Sequence, residues 1–338
     1  MNKRVLLLVL VLAVTATSAV TAVFLAEGKT CQSNPLFSCF NQRVIEPHQD
    51  WSHYSFVALG HIRTGRNKPG PNRNLQRNLY RVLAHDPAFV IALGDLYYSI
   101  SDESIDNITR WVSANIPVPF FNAVGNHDTQ TSAGHEPARY ADTFGTPSFD
   151  FVLGSELYIF LENGSSPVLS EQQKTRLEAL LSQAADDTAI RNIFLFSHQL
   201  FWSYYNPALE PVFRYRHPVT PPSNYRYFLD TIKPLVESLP AGKRVFFLAG
   251  DIGGGRRFLQ TFYHREGPIT YIATGMGNAS RDSFLTVTII GGEVSLKATN
   301  FRSGETISLE EFGLDYWRTF YRDNPEFATE IDRINNAR

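Results

Sequence analysis

Short apolar runs recur along this chain, and each hands over to polar or charged residues at its end. Val90–Leu93 runs into Gly94-Asp95, Phe120–Val124 into Gly125-Asn126-His127-Asp128, and Ile193–Phe196 into Ser197-His198. Phe56–Leu59 leads to Gly60-His61-Ile62-Arg63, and Val245–Ala249 to Gly250-Asp251-Ile252-Gly253. Runs this short, bounded by turn residues, read as buried strands. The pattern therefore predicts sheets whose strand ends present carboxylate, amide and imidazole groups.

Helical segments lie between the strands. Asn74 to Ala84 places Leu75, Leu79, Val82 and Leu83 on one side and arginines on the other. Ile105–Asn115 and Tyr225–Leu239 also read as helices. Ser170 with Gln173 forms a capping box ahead of Leu177, Leu180, Leu181 and Ala184. Gly154-Ser155 reads as the turn of a hairpin, and Phe258 to Asn300 is mostly strand. This interleaving favours a layered α/β domain. With 338 residues and 43% hydrophobic content, the chain can bury one large core or two modest ones. Its formal net charge of −2 gives no electrostatic case for nucleic acid as a partner.

The first residues read separately. Asn2-Lys3-Arg4 precedes an uncharged apolar stretch from Val5 to Ala26, long enough to cross a bilayer as a helix. Positive charge ahead of it favours a cytoplasmic N-terminus with the remainder exported. A cleaved signal peptide is the rival, since Val20-Thr21-Ala22 offers small residues at a cut site. The apolar run is long for that role, which favours residues 1–27 as an uncleaved membrane anchor over a secreted product. Residues 28–53 read as a linker with Pro35 and Pro47. Within it Cys31 and Cys39, the only two cysteines, can close a small disulfide loop in an oxidising compartment. Residues 54–301 read as one catalytic-type domain, and 302–338 as a tail forming one helix on the outside.

The strand-end residues suggest a chemistry. A carboxylate there can bridge two cations, and an Asn carbonyl with a neutral His can complete one of them. Such ions polarise a phosphoryl group and lower the pKa of bound water, while a His outside the metal shell protonates the leaving oxygen. Asp95, Asn126, His198 and His127 supply that kit. In this order, with a late strand at Tyr271–Gly275, the chain resembles the calcineurin-like metallophosphoesterase superfamily, nearest its exported purple-acid-phosphatase-like branch. The resemblance covers roughly Ser55 to Ala298. It implies an α/β fold, a four-layer αββα sandwich of two mixed β-sheets flanked by helices. It implies Asp95 as the bridging aspartate and Asn126 and His198 as ligands of the second metal. His127, oriented by Asp128, matches the leaving-group acid. Mn, Fe or Zn would be the metal and a phosphoester small molecule the substrate.

Two blocks depart from the family pattern, which opens on Asp-x-His and closes on Gly-His-x-His. The opening Asp falls at His61 and its His at Arg63; the closing His residues fall at Asp251 and Gly253. Arg63 has no lone pair for a cation, and Gly253 has no side chain. The first metal would keep Asp95 and His61 alone. The second would keep Asp95, Asn126 and His198, with Asp251 standing in for a His. Two readings follow. In one, a single ion remains and Arg63 clamps phosphate, giving an exported, membrane-anchored phosphoric-ester hydrolase. In the other, Arg63 pairs with Asp251 across an empty site, and the domain is an inactive module that binds or assembles an envelope component without metal.

Weaker signals surround this set. Arg214, Arg216, His217 and Arg226 alternate with Phe213, Tyr215, Tyr225 and Tyr227 around a long loop. That segment reads either as a lid gripping an anionic substrate or, in the favoured reading, as a solvated loop with packed aromatics. His48, His53 and His135 are spare metal ligands on paper and ordinary histidines by default. Sequons begin at Asn107, Asn163 and Asn278.

Overall fold

The apolar runs become strands, here set out from a computed structural model that describes residues 34–47, 49–65, 70–164, 168–214, 225–255 and 258–336. In chain order they begin with β1 (Phe37–Ser38), β2 (Arg43–Val44), β3 (His53–Leu59), β4 (Phe89–Ala92) and β5 (Phe120–Asn122). Next come β6 (Gln130–Thr131), β7 (Gly134–His135), β8 (Phe149–Leu153), β9 (Glu156–Phe160), β10 (Asn192–Ser197) and β11 (Arg244–Ala249). The last are β12 (Thr261–Glu266), β13 (Ile269–Thr274), β14 (Ser283–Ile290), β15 (Glu293–Asn300) and β16 (Thr306–Ser308). Two six-stranded sheets have the orders β16-β15-β14-β3-β4-β5 and β12-β13-β11-β10-β9-β8. Both are mixed: β3-β4-β5 and β9-β10-β11-β13 are parallel, and their other pairs antiparallel.

The parallel strands read as unbroken apolar runs because both their faces are covered. In β3, Phe56 and Ala58 point between the sheets, while Val57 and Leu59 meet Leu75 and Val82 of helix Arg73–Leu83. In β10, Phe194 and Phe196 lie between the sheets, while Ile193 and Leu195 meet Leu177 and Leu181 of helix Glu171–Asp186. The layers are helix, sheet, sheet, helix, as expected. Ser170 caps the second of those helices by accepting the Gln173 N–H at 3.3 Å, but Gln173 Oε1 makes no return bond, so the predicted box is half formed.

Several expectations change. The predicted membrane segment and Cys31 lie outside the described residues; among the described residues no helix is long and apolar enough to cross a membrane. Cys39 is disulfide-bonded. The described part of the predicted linker packs onto the body: Phe40 stacks on Phe144 at 4.2 Å, and Ser38 Oγ donates to the Phe120 carbonyl at 2.6 Å. The tail forms two helices, Leu314–Asp323 and Pro325–Asn336, because Pro325 cannot continue the first. Their Trp317, Tyr321 and Ile331 bury against the second sheet, with Trp317 Nε1 donating to the Thr261 carbonyl at 2.7 Å.

Candidate functional site

The turns that follow β3, β4, β10 and β11 carry His61, Arg63, Asp95, His198 and Asp251. Asp95 is central and 1% exposed. Its Oδ2 accepts from Arg63 Nε at 3.0 Å and faces His61 Nε2 at 3.4 Å. Its Oδ1 accepts the His127 backbone N–H at 3.2 Å and faces His198 Nε2 at 3.4 Å. His198 Nε2 also stands 3.7 Å from Asp251 Oδ1, and its Nδ1 meets the Leu93 carbonyl at 2.8 Å. His61 and Asp95 both hold left-handed backbone, with φ of 55° and 57°. That conformation costs a non-glycine residue on the order of 1 kcal/mol or more, so the surroundings must hold it.

Asp128 supplies the restraint. Its carboxylate accepts the N–H of Asp95 at 3.1 Å, of Leu96 at 2.7 Å and of Gly125 at 2.8 Å, plus the Asn122 amide at 2.9 Å. The expected contact between Asp128 and the His127 ring is therefore replaced. Turn N–H groups buried beside Asp128 need an acceptor and use up the carboxylate. The Tyr98 carbonyl, 2.6 Å from His127 Nδ1, holds the ring instead. Two glycines make the crowding feasible. A Cβ on Gly94, whose φ is 83°, would stand 2.4 Å from His198 Nδ1, and one on Gly125 would stand 2.4 Å from Asp95 Oδ1.

Charge is unevenly shared within this cluster. Burial pushes the His61 imidazole down to about 3, against the pull of Asp95. Burial also resists charge on Asp95, yet His198, His61, His127 and Arg63 together hold its carboxyl well below the usual range. His198 moves the other way: burial opposes its protonation, but Asp95 and then Asp251 lift it above its ordinary value. Burial, then the Asp95 charge, raise Asp128 to about 6.

Other predicted residues fall as follows. Arg63 pairs with Asp95 and not with Asp251, because the Arg63 N–H bonds the Asp95 carbonyl at 2.8 Å and lays the two side by side. Its guanidinium lies 5.6 Å from the centre of the Tyr98 ring. Asn126 is half-buried one residue before His127, and no hydrogen bond to a described residue ties its amide to the cluster. Residues 215–224 of the predicted lid, and His48, lie outside the described residues. At the lid's borders Arg214 pairs with Asp332 at 3.0 Å and Arg226 with Asp230 at 3.3 Å, away from the site. His53 is exposed, and His135 meets Thr129 Oγ1 at 3.0 Å.

Sequence reasoning misses Asn163 and Tyr98. Asn163 Oδ1 accepts the N–H groups of His198 at 3.1 Å and Gln199 at 3.0 Å, so it positions the turn that carries His198. As a sequon it reads as a glycan acceptor, but at 2% exposure it is closed to one. Its place just beyond the apolar run ending at Leu161, the same strand-end position as the other site residues, was the available signal.

Fit to a metal pair turns on what faces Asp95. Arg63 takes the carboxylate oxygen that a first ion would need. Gly253 offers no donor, and a Cβ there would meet the Gly275 backbone at 2.9 Å. These residues do not fit a metal pair. Nor, among the described residues, do any three His, Cys, Asp or Glu side chains stand where they could hold one ion.

No family model and no curated protein matches the sequence. Solved structures do. A purple acid phosphatase from yellow lupin (Lupinus luteus) seeds aligns with TM-score 0.53 and 15% identity, covering 78% of this chain and 54% of that one. The fold is that of the calcineurin-like metallophosphoesterases. This chain spans about half the length of the lupin phosphatase. GAP50, the anchor in the inner membrane complex of Plasmodium, aligns with TM-score 0.49 and 14% identity over 76% of this chain and 88% of its own. Vacuolar protein sorting 29 of Cryptosporidium parvum gives 0.36 and 13% over 75% and 95%. The metallophosphoesterase fold thus carries here a strand-end cluster in which Arg63 stands at the family pattern's first His.

Proposed function

We propose that this chain is a catalytically inactive binding or assembly module on the metallophosphoesterase fold, held on the exported side of a membrane by its N-terminal apolar segment. The reading rests on the bond from Arg63 Nε to Asp95 Oδ2 at 3.0 Å. A guanidinium is permanently charged and accepts nothing, so it neutralises the carboxylate without offering Lewis acidity to water. His198 Nε2 stands between Asp95 and Asp251, and against burial their charges draw its imidazole above its ordinary value. What remains is a rigid surface whose role is recognition of an envelope component.

A second reading has one observation in its favour. His198 Nε2 is buried with no hydrogen-bond partner, while its Nδ1 is fixed on a backbone carbonyl, as in a metal-ligating imidazole. As they stand, no three His, Cys, Asp or Glu side chains among the described residues could hold an ion. This reading therefore requires Asp95, Asn126, His198 and Asp251 to close around one Mn, Fe or Zn ion, which would then supply Lewis acidity for phosphoester hydrolysis. Arg63 would then grip phosphate, and His127 would stand to protonate the leaving oxygen.

The deciding experiment offers Mn, Fe and Zn to the full chain, purified without chelators. Bound metal is counted by plasma mass spectrometry, and turnover is assayed on para-nitrophenyl phosphate and its bis-ester. We expect no stoichiometric metal and no turnover above that of Asp95→Ala. One equivalent lost in Asp95→Ala, with turnover but not metal lost in His127→Ala, overturns the module in favour of the hydrolase.

A further inference from the structure

The opposite end of the sandwich carries a cluster that the strand-end site does not use. β10 and β11 begin there, and Arg191, Lys243 and Arg244 gather with Arg265 from the far end of β12. A cleft of about 760 Å³ opens among them and continues past Arg244 and Arg265 into a lobe of about 240 Å³. Strand β10 is six residues long, so about 20 Å of sheet separates this cleft from His198 and Asp95.

Lys243 is the most informative residue here. It is 8% exposed, and its ammonium donates to the Asp187 and Ile190 carbonyls, 2.7 Å each. An ammonium has three donors, and no carboxylate among the described residues pairs with this one. A charge withdrawn from water without a counter-charge is costly. Arg191 and Arg265 likewise reach only backbone carbonyls, those of Gly291 and Gly267. Arg244 alone has a carboxylate partner, Glu293, whose side chain is 81% exposed at the rim. With Glu310 in the second lobe, the cleft sets four cations against two carboxylates, in a chain whose net charge is −2.

We propose that this cleft binds a compact, multiply charged phosphate-type anion, a diphosphate or bis-phosphorylated small molecule. Its volume lies in the small-molecule range, and Pro240, Gly242 and Lys243 line it together with the arginines. Arg191, Arg244 and Arg265 supply planar donor forks suited to phosphate oxygens. The chain's negative overall charge disfavours an extended nucleic acid as the occupant.

The test is calorimetric titration of pyrophosphate into the full chain. One site saturating below about 1 mM is expected. The Arg191→Ala/Arg265→Ala variant, altered at exposed side chains, should weaken it at least about tenfold through lost charge-assisted hydrogen bonds. Arg265→Lys alone should keep most of the affinity, and an unchanged unfolding midpoint without ligand should show the double variant intact. Should that variant unfold early, Arg265→Glu alone must still abolish binding. Arg63→Ala at the other end of the sandwich, and Arg110→Ala on the exposed side of helix Asp102–Asn115 over the first sheet, should change nothing. Binding lost in Arg63→Ala but kept in the double variant would put the anion at the strand-end site and overturn the proposal. Equal weakening by Arg110→Ala would reduce the effect to unspecific attraction, and an absence of saturation would end the idea outright.

Discussion

Asp95 is ringed by more positive and imidazole groups than a single carboxylate needs, and removing one of them tests how its charge is held. Arg63→Met deletes the one permanent cation while keeping much of the packing. The Arg63 side chain is 21% exposed, so the loss is discounted for solvent screening to about 1–3 kcal/mol. Urea unfolding reads it; a change below about 0.5 kcal/mol, the level of an ordinary surface substitution, would mean that the histidines carry the load. His61 gives a pH test of opposite character. Burial holds its folded imidazole down to about 3, against about 6.5 for the unfolded chain. Below about 6.5 the unfolded chain takes up a proton that the folded chain refuses, so stability falls as pH drops from there to about 3. In His61→Gln that part of the acid-side slope should vanish. His198, raised in the folded state, contributes with the other sign, and subtracting the two proteins' pH curves cancels it. The sequence shows which residues stand at strand ends. It does not show that Arg63 reaches Asp95, because that follows from a backbone bond between two turns far apart in the chain.

Two turns, the one after β4 and the one after β5, act as a single element because Asp128 accepts the N–H groups of both. Asp128→Asn would aim an NH2 group at donors that now find an oxygen, leaving at least one buried N–H unmet. A cost of about 2–4 kcal/mol is expected in denaturant unfolding. Had Asp128 served only to orient the His127 ring, stability would scarcely move, so a near-zero result would restore that role. The same contrast explains what could be read from the sequence at this scale. Helices with one apolar side, Arg73–Leu83 and Glu171–Asp186, stand close to where periodicity puts them. Segments with scattered aromatics do not announce themselves: Phe40 and Trp317 have no local period, and each buries only because a distant sheet offers a surface.

At the scale of the whole molecule, the two sheets share one aromatic interior, in which Phe56 meets Phe194 edge-on at 5.4 Å. The double coverage that made the strands legible as apolar runs also hides their one buried charge. Glu156, 0% exposed, begins β9 in the second sheet and accepts Tyr54 Oη of β3, in the first, at 3.2 Å. It also accepts Asn192 Nδ2 at 3.0 Å and Ser155 Oγ at 2.7 Å, while Tyr54 and Tyr158 share a 2.5 Å hydroxyl contact. This network crosses the sheet–sheet interface beneath an otherwise apolar layer, so it ties the register of one sheet to the other. Glu156→Leu fills similar space but removes the acceptor of one Asn192 N–H, whose other N–H keeps the Gly292 carbonyl at 2.8 Å, and of one hydroxyl proton of the Tyr54–Tyr158 pair. Two unmet donors predict a loss of about 2–5 kcal/mol. Because both sheets share that interior, the loss should appear in one cooperative transition with an unchanged denaturant slope. Tryptophan fluorescence reports on all four tryptophans: Trp51, beside Tyr54 at the inter-sheet core, Trp111 in the helical layer of the first sheet, and Trp202 and Trp317 in that of the second. Circular dichroism reports on the backbone. Coincident curves from the two signals would mean that the sandwich unfolds as a unit, whereas separated curves would mean that the sheets are independently stable and that Glu156 is not their link.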